Sequence, residues 1–381
     1  MKKILIIHPA LAPYRIDFFN ALSSHFRIEL VLLHENITDN PFDQESLRKQ
    51  LHFPVEVSRT TRTFLHQPVP SGLHRKIIAF RPDIVICSEF SLLNNLMYLL
   101  RKVRHYRFAL ATITDDNTFR ISAPGSFLRT MNRNLLCRLL DGIITLDIPE
   151  VKAFYQSKAG VGKTIGIHHL VRDSCQFIKQ FENSILEENH LGTGGQKQKL
   201  TLLFVGRFVR EKGLDILLAA FQKIALTQPD VQLRLVGEGV ERAAIVGMIH
   251  QLGISDHVIL DGRLEGAALL NTYRLADLFI LPSRFEPFGA VVNEALLAGL
   301  PVICSDMVGA KCLVAEGVSG SVFNSENPDS LLDKLIFWIG KLRTEQPVTL
   351  KKNLTDKDAG KEVVKLVGFL NGLLPGRMEC V

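Results

Sequence analysis

A chain of 381 residues, 46% hydrophobic and 22% charged, carries enough apolar material for two packed domains, which excludes a disordered chain. Six cysteines, Cys87, Cys137, Cys175, Cys304, Cys312 and Cys380, include no CxxC pair; this excludes the usual disulfide or zinc frameworks and fits reduced thiols of a cytosolic protein. The 45 Lys and Arg against 39 Asp and Glu leave a formal charge of +6, and no nucleic-acid reader motif accompanies it.

The opening MKKILIIHPALAPYR imitates a signal peptide, but its apolar core, Ile4 to Ile7, is too short and is predicted as the first strand. No stretch reaches the length of a membrane span. A helix over Asp17 to Ser24 follows, then strands over Ile28 to Leu33, Asp83 to Cys87 and Phe108 to Ile113. A helix near Phe127 to Leu140, a strand over Gly142 to Leu146 and a helix over Pro149 to Ser157 complete the first half. This alternation predicts a doubly wound parallel sheet.

Arg172 to Lys199 is polar, contains Gly192, Gly194 and Gly195, and reads as a linker. Leu200 to Val205 is the next strand. Gly206 after it permits close backbone approach, Arg207 and Lys212 place two cations on the following loop, and a helix starts near Leu214. LVGEGVER offers Gly237 and Gly239, but Arg242 stands where a nicotinamide-binding turn needs its third glycine, which rules that fingerprint out. Further on, LPSRFEPFGAVVNEALLAGLPVICSD sets a strand over Leu278 to Leu281, a loop ending at Gly289, a helix stopped by Gly299 and Pro301, and a strand from Val302. Lys341 to Gly360 is polar, and Val363 to Leu374 is apolar and predicted helical.

Glu286 and Glu294 flank the start of that helix, about 12 Å apart at helical rise. The turn at Phe288, Gly289 and Ala290 lies at the positive end of the helix, which favours phosphate. A carboxylate accepts two hydrogen bonds from a vicinal diol. Two acids on either side of an anion cradle therefore suit a nucleoside diphosphate sugar, whose ribose and hexose flank its pyrophosphate.

The second half, through VGRFVREKGLDILLAAF, LRLVGEG, VILDGRL, ADLFILPSRFEPFGAVVNEALLAGLPVICSD and GVSGSVF, resembles the retaining family 4 glycosyltransferases of GT-B architecture, of the bacterial surface-polysaccharide type. The resemblance implies an α/β fold of two Rossmann-like doubly wound parallel-sheet domains facing a central cleft. Residues 1–171 would form the acceptor-side domain, 172–199 the linker and 200–360 the donor domain, with a helix at about 361–381 packing back on the first. It implies that Arg207, Lys212, Gly206, Phe288 and Gly289 hold the donor diphosphate, that Glu286 contacts the reacting sugar, that Glu294 binds the ribose, and that Arg263 and Leu264 contact the base. Relatives often carry Gly-Gly and then Glu after the last of these strands. This chain instead reads Val308, Gly309, Ala310, Lys311, Cys312.

On the acceptor side, Tyr14 and Arg15 stand at the mouth of the first strand, and Arg15 is a candidate for an acceptor phosphate; a surface helix charge accounts for it equally. Thr114, Asp115, Asp116 and Asn117 follow the Phe108 to Ile113 strand. Relatives often place a histidine where Asp115 stands, and an acid there can orient the acceptor or stabilise developing positive charge. Asp116 is a second acceptor candidate, and a turn-forming Asx cluster remains open for both. The two aspartates are adjacent rather than a DxD, and GT-B enzymes neutralise pyrophosphate with protein cations and helix dipoles, so no metal and no cofactor is assigned. Between Leu99 and Leu140 eight basic residues face two acids, and Arg129 and Arg133 are expected on one helical face beside Phe127, Met131 and Leu135. That face suits anionic lipid, unless it is simply a solvated surface.

The expected activity is transfer of a sugar from a UDP- or GDP-sugar to a saccharide or lipid-linked acceptor, in lipopolysaccharide, capsule or related glycan synthesis at the inner face of the cytoplasmic membrane. A sugar-nucleotide epimerase and a non-catalytic sugar-nucleotide-binding protein are the alternatives.

Overall fold

The computed structural model describes residues 1–35, 43–58, 61–64, 67–122, 126–167, 199–344 and 359–374. The chain divides into two compact units, Met1–Arg172 with Lys357–Val381, and Asp173–Asp356. The predicted linker falls almost wholly outside the described residues, as do Cys175, Cys380 and the last part of the predicted C-terminal helix.

The first unit contains β1 (Lys3–His8), β2 (Arg27–Leu32), β3 (Val55–Val57), β4 (Thr61–Phe64), β5 (Gln67–Pro70), β6 (Ile84–Ser88), β7 (Ala109–Ile113), β8 (Gly142–Leu146) and β9 (Thr164–Ile167). Seven of them form one parallel sheet in the order β3-β2-β1-β6-β7-β8-β9, while β4 and β5 pair separately as an antiparallel hairpin. β1 is apolar from Ile4 to Ile7 because both faces of the sheet are covered. Ile4 and Ile6 point into one core cluster, with Phe19, Leu22, Ile86 and Ile144; Leu5 and Ile7 point into the other, with Leu73, Ile77, Met97 and Leu136.

The helix Ala359–Gly372 belongs to this unit. Leu366 and Leu370 enter the cluster of Ile4 and Ile6, and Lys365 pairs with Asp147 at 3.2 Å. Gly142 leaves room for it: a Cβ there would lie 2.6 Å from Leu373 Cδ1.

The second unit contains β10 (Leu200–Val205), β11 (Val231–Val236), β12 (Val258–Gly262), β13 (Leu278–Leu281), β14 (Val302–Ser305) and β15 (Gly320–Phe323). They form a parallel sheet in the order β12-β11-β10-β13-β14-β15. The helices Leu214–Thr227, Arg242–Gln251, Gly266–Leu275 and Ala290–Leu297 connect its first five strands. Both sheets are doubly wound, as the alternation of strands and helices predicts.

The first helix starts at Pro13, four residues before its expected start, because a proline at the first helical position gives up an N–H that would have no helical partner anyway. Cys87, Cys137 and Cys304 are buried and Cys312 is exposed. Burial pushes the Cys137 thiol up to about 11 and the Cys304 thiol up to about 12, so both stay protonated and unreactive near neutral pH. No helix among the described residues is long and apolar enough to cross a membrane.

Leu370→Ala should cost the first unit about 3 kcal/mol, the usual penalty for a large-to-small change in a close-packed core. Urea unfolding followed by a probe in the first unit is the measurement, and a midpoint equal to that of the unsubstituted chain would show that the helix adds no stability there.

Candidate active site

In a parallel sheet every loop that follows a strand leaves from the same edge, and ligands bind along that edge. In the second unit the loop after β10 lies against the loop after β11. A Cβ at Gly237, whose φ is +145°, would sit 1.8 Å from the carbonyl oxygen of Gly206, and one at Gly239 would sit 2.3 Å from that of Phe208. The two glycines that fail as a dinucleotide fingerprint thus serve close backbone packing.

The same loop is stitched to the one after β13. Gly213, at φ +65°, has no room for a Cβ beside the carbonyl of Pro282. The Arg284 N–H donates to the Glu211 carbonyl at 2.8 Å. The Arg284 guanidinium forks onto both carboxylate oxygens of Asp215, at 2.6 and 2.7 Å, and reaches Glu326 at 2.7 Å. These bonds hold Asp215 below its ordinary range. Sequence reasoning passed over Arg284 because its partners lie 69 and 42 residues away.

The stitching brings Lys212 and Glu286 together. Lys212 Nζ ion-pairs with Glu286 Oε2, and both side chains are largely buried. The backbone of Glu286 is fixed as well: its N–H donates to Met307 at 3.3 Å, and its carbonyl accepts from Gly309 at 3.1 Å. The Phe288 carbonyl accepts from the Ala310 N–H at 2.6 Å. The departure at Val308 to Cys312 therefore still clamps the acidic loop through its backbone. Phe288 itself is buried, and Gly289, at φ +92°, starts the Ala290–Leu297 helix in a conformation that favours glycine.

Glu294 lies in the second turn of that helix and accepts from the Tyr273 hydroxyl at 2.9 Å. Burial raises the Glu294 carboxyl above its ordinary range, with the Tyr273 bond opposing; burial, then Glu294, raise the Tyr273 phenol. Tyr273, from the helix Gly266–Leu275, is a second residue that sequence reasoning missed. Arg207 is exposed directly after Gly206, on the same edge. Arg263 and Leu264 follow β12; Arg263 is exposed and pairs with Glu265 at 2.6 Å, and Leu264 is half-buried.

In the first unit, Arg15 is only 4% exposed and ion-pairs with Asp115. Its guanidinium also lies over the rings of Tyr14 and Phe18, at 5.6 and 5.7 Å. The surface-charge reading of Arg15 is thereby overturned. Asp116 is buried too, accepting from the Tyr155 hydroxyl and facing Arg133 at 3.8 Å. Arg133 consequently leaves the exposed face expected of it: it turns inward over the Phe154 ring at 5.0 Å, while Arg129 stays exposed. The tight cluster brings in two further residues. His8 ends β1, and burial and then Arg15 lower it to about 4, so the imidazole is neutral. Glu89 follows β6 and binds the Thr114–Asp115 turn. Among the described residues no group of three or more His, Cys, Asp or Glu is placed to hold a metal.

Residues 187–354, which lie within the second unit, match the family model for glycosyl transferases group 1. An uncharacterised glycosyltransferase of Methanocaldococcus jannaschii is 36% identical over 138 residues, 36% of this chain and 35% of that one; the chain thus spans about a third of this relative's length. Among solved structures, Anabaena HepE in complex with UDP aligns over 97% of this chain and 100% of its own, with a TM-score of 0.75 and 19% identity. The lipopolysaccharide outer core galactosyltransferase WaaB aligns over 97% and 98%, with a TM-score of 0.68 and 18% identity. At such identities the likeness is one of fold, and it is the GT-B fold.

Lys212→Ala leaves Glu286 uncompensated, and Glu286→Ala does the same to Lys212. Removing both should cost less than the sum of the single changes, with a coupling of about 1–2 kcal/mol. Urea unfolding of the four proteins of this cycle measures it, and additive losses would show that the pair is not coupled.

Proposed function

We propose that the chain is a retaining glycosyltransferase that uses a nucleoside diphosphate sugar. The observation that carries this reading is the gathering, on one sheet edge, of a cation and two carboxylates around a helix start: Lys212 paired to Glu286, with Gly289 and Glu294 beyond. Arg207, Lys212, Gly206 and the Phe288–Gly289 backbone hold the diphosphate. Glu286 accepts from hydroxyls of the reacting sugar, Glu294 from the ribose, and Arg263 and Leu264 flank the base. Lys212 exchanges part of its contact with Glu286 for the diphosphate when the donor arrives.

Transfer forms a bond from the acceptor oxygen to C1 of the sugar and breaks the bond from C1 to the diphosphate oxygen, on the same face. The acceptor's hydroxyl proton passes to the departing diphosphate. Asp115 stands on the acceptor side, paired with Arg15, and stabilises positive charge developing on the sugar. Arg15 and Asp116 support the acceptor site from behind. UDP is the favoured nucleotide, a choice in keeping with the UDP bound to HepE.

The acceptor is a lipid-linked saccharide of lipopolysaccharide, capsule or a related glycan, at the inner face of the cytoplasmic membrane. The exposed side of the helix Phe127–Leu139 supports this: Phe127 and Leu128 are 75% and 74% exposed, Met131 and Leu135 half exposed, with Arg129 and Arg138 among them. Apolar side chains interleaved with arginines suit an anionic bilayer surface.

A thermal-shift panel of nucleotide sugars identifies the donor, and turnover with that donor tests the reading. Glu286→Ala should lower turnover by about a hundredfold or more, roughly 3 kcal/mol of barrier, because it removes contacts that position the reacting sugar. Near-normal turnover would sink the assignment; an isomerised nucleotide sugar would mark an epimerase, and binding without turnover a sensor.

Sedimentation with vesicles of phosphatidylglycerol and phosphatidylcholine tests the membrane side. Leu128→Asp together with Arg129→Glu should abolish binding that the unsubstituted chain shows at low salt. Equal sedimentation of the two proteins would favour a water-soluble acceptor.

A further inference from the structure

The helix-bearing crossovers of the first sheet reverse direction between β1 and β6, and the ends of these two strands border the crevice in which doubly wound sheets bind ligands. His8 closes one side and Glu89 the other. Glu89 is one of only a few residues other than glycine with positive φ among those described, at +57°. A side chain with a Cβ is disfavoured there, and such a conformation persists only where its surroundings over-determine it.

Here they do. The Glu89 N–H donates to the Ile113 carbonyl at 2.7 Å, and the Glu89 carbonyl accepts from Asn94 Nδ2 and Thr112 Oγ1, each at 2.6 Å. Its carboxylate accepts from Thr114 Oγ1 at 2.8 Å and from the Asp115 N–H at 3.2 Å. Five hydrogen bonds thus hold the one strained residue that follows β6, four of them to Thr112, Ile113, Thr114 and Asp115 at the end of β7 and in the loop after it. The loop they fix carries Asp115, which holds Arg15, and Asp116, which holds Tyr155 and faces Arg133.

We propose that Glu89 is a positioning residue for glycosyl transfer, its ionised carboxylate setting the turn that aims the Asp115 carboxylate at the acceptor side. The inference rests on the glycosyltransferase reading above and adds a residue to it. No atom of Glu89 is asked to touch substrate; it acts through Thr114 and Asp115.

The charge on Glu89 makes this testable by pH. Burial first, then the charges of Asp115 and Asp116, push its carboxyl up to about 7. Among the described residues the cluster also holds Arg15 and His8 beyond Asp115, and Arg133, Tyr155 and the Cys137 thiol, pushed up to about 11, beyond Asp116. His8, held at about 4, and Tyr155, raised by burial, change charge outside the range from pH 6 to 8. Protonation of Glu89 as pH falls through about 7 weakens the carboxylate's grip on the turn, so activity should fall with it.

The experiment uses the full chain with UDP-glucose and water as acceptor. Hydrolysis forms the bond from water oxygen to C1, breaks the bond from C1 to the diphosphate oxygen, and leaves glucose and UDP with a released proton. Calorimetry with UDP reports the second unit independently. The unsubstituted chain should show a hydrolysis rate that drops on acidification with an inflection near pH 7. Glu89→Gln should remove that inflection and lower the rate at pH 8 tenfold or more, with UDP affinity within twofold. Glu89→Gly, which suits the +57° backbone and so protects the fold, should lower the rate similarly. An inflection retained in Glu89→Gln, or a rate within twofold of the original in Glu89→Gly, would overturn the inference while the glycosyltransferase reading stands. Absence of hydrolysis in the unsubstituted chain despite UDP binding would overturn both.

Discussion

Everything functional in this protein depends on the parallel pairing of its strands. Because all strands of a sheet run the same way, His8, Glu89 and Asp115 reach one edge of the first sheet, and Gly206, Arg263 and Glu286 reach one edge of the second. Residues far apart in sequence become neighbours with no other device. Lys212 and Glu286, 74 positions apart, meet because β10 and β13 are adjacent. Once the edge is fixed, the loops need only short-range means to hold their shape.

Those means differ between the two units. In the second, backbones come close together: Gly237 and Gly239 lie against the carbonyls of Gly206 and Phe208, and Gly213 against Pro282. Side-chain charge then works on a loop frame already set by main-chain contact. In the first unit the frame is itself made of side chains, with Arg15 on Asp115, Tyr155 on Asp116 and Glu89 on Thr114. Three carboxylates so close together raise the cost of ionising one of them, and Glu89 bears it, being buried beside Asp115 and Asp116 while Asp115 has Arg15.

The second unit was the more legible in sequence. Its strands are short apolar runs bounded by glycine or proline, and Glu286, Gly289 and Glu294 lie within nine residues of one another. The partners Arg284 and Tyr273 were not legible, since each acts across elements and neither stands in a local pattern. In the first unit the main strands could be read, but β3, β9 and the helices Leu73–Phe80 and Leu92–Val103 could not. β3 and β9 have three and four residues, too few for a period to show. Arg133 was misplaced for a related reason: helical spacing puts it one turn from Arg129, but only the packing of Tyr155 and Asp116 decides that it turns inward.

The first unit is discontinuous in sequence, with the whole of Asp173–Asp356 inserted ahead of its last helix. Every residue of the second unit is therefore translated before Leu366 and Leu370, which enter the core of the first. Without Leu366 and Leu370 the cluster that Ile4 and Ile6 share with Phe19 and Leu22 is incomplete, and apolar surface left open in this way draws chaperones or aggregates. The first unit, although it begins the chain, cannot complete its core until the whole of the second has been translated.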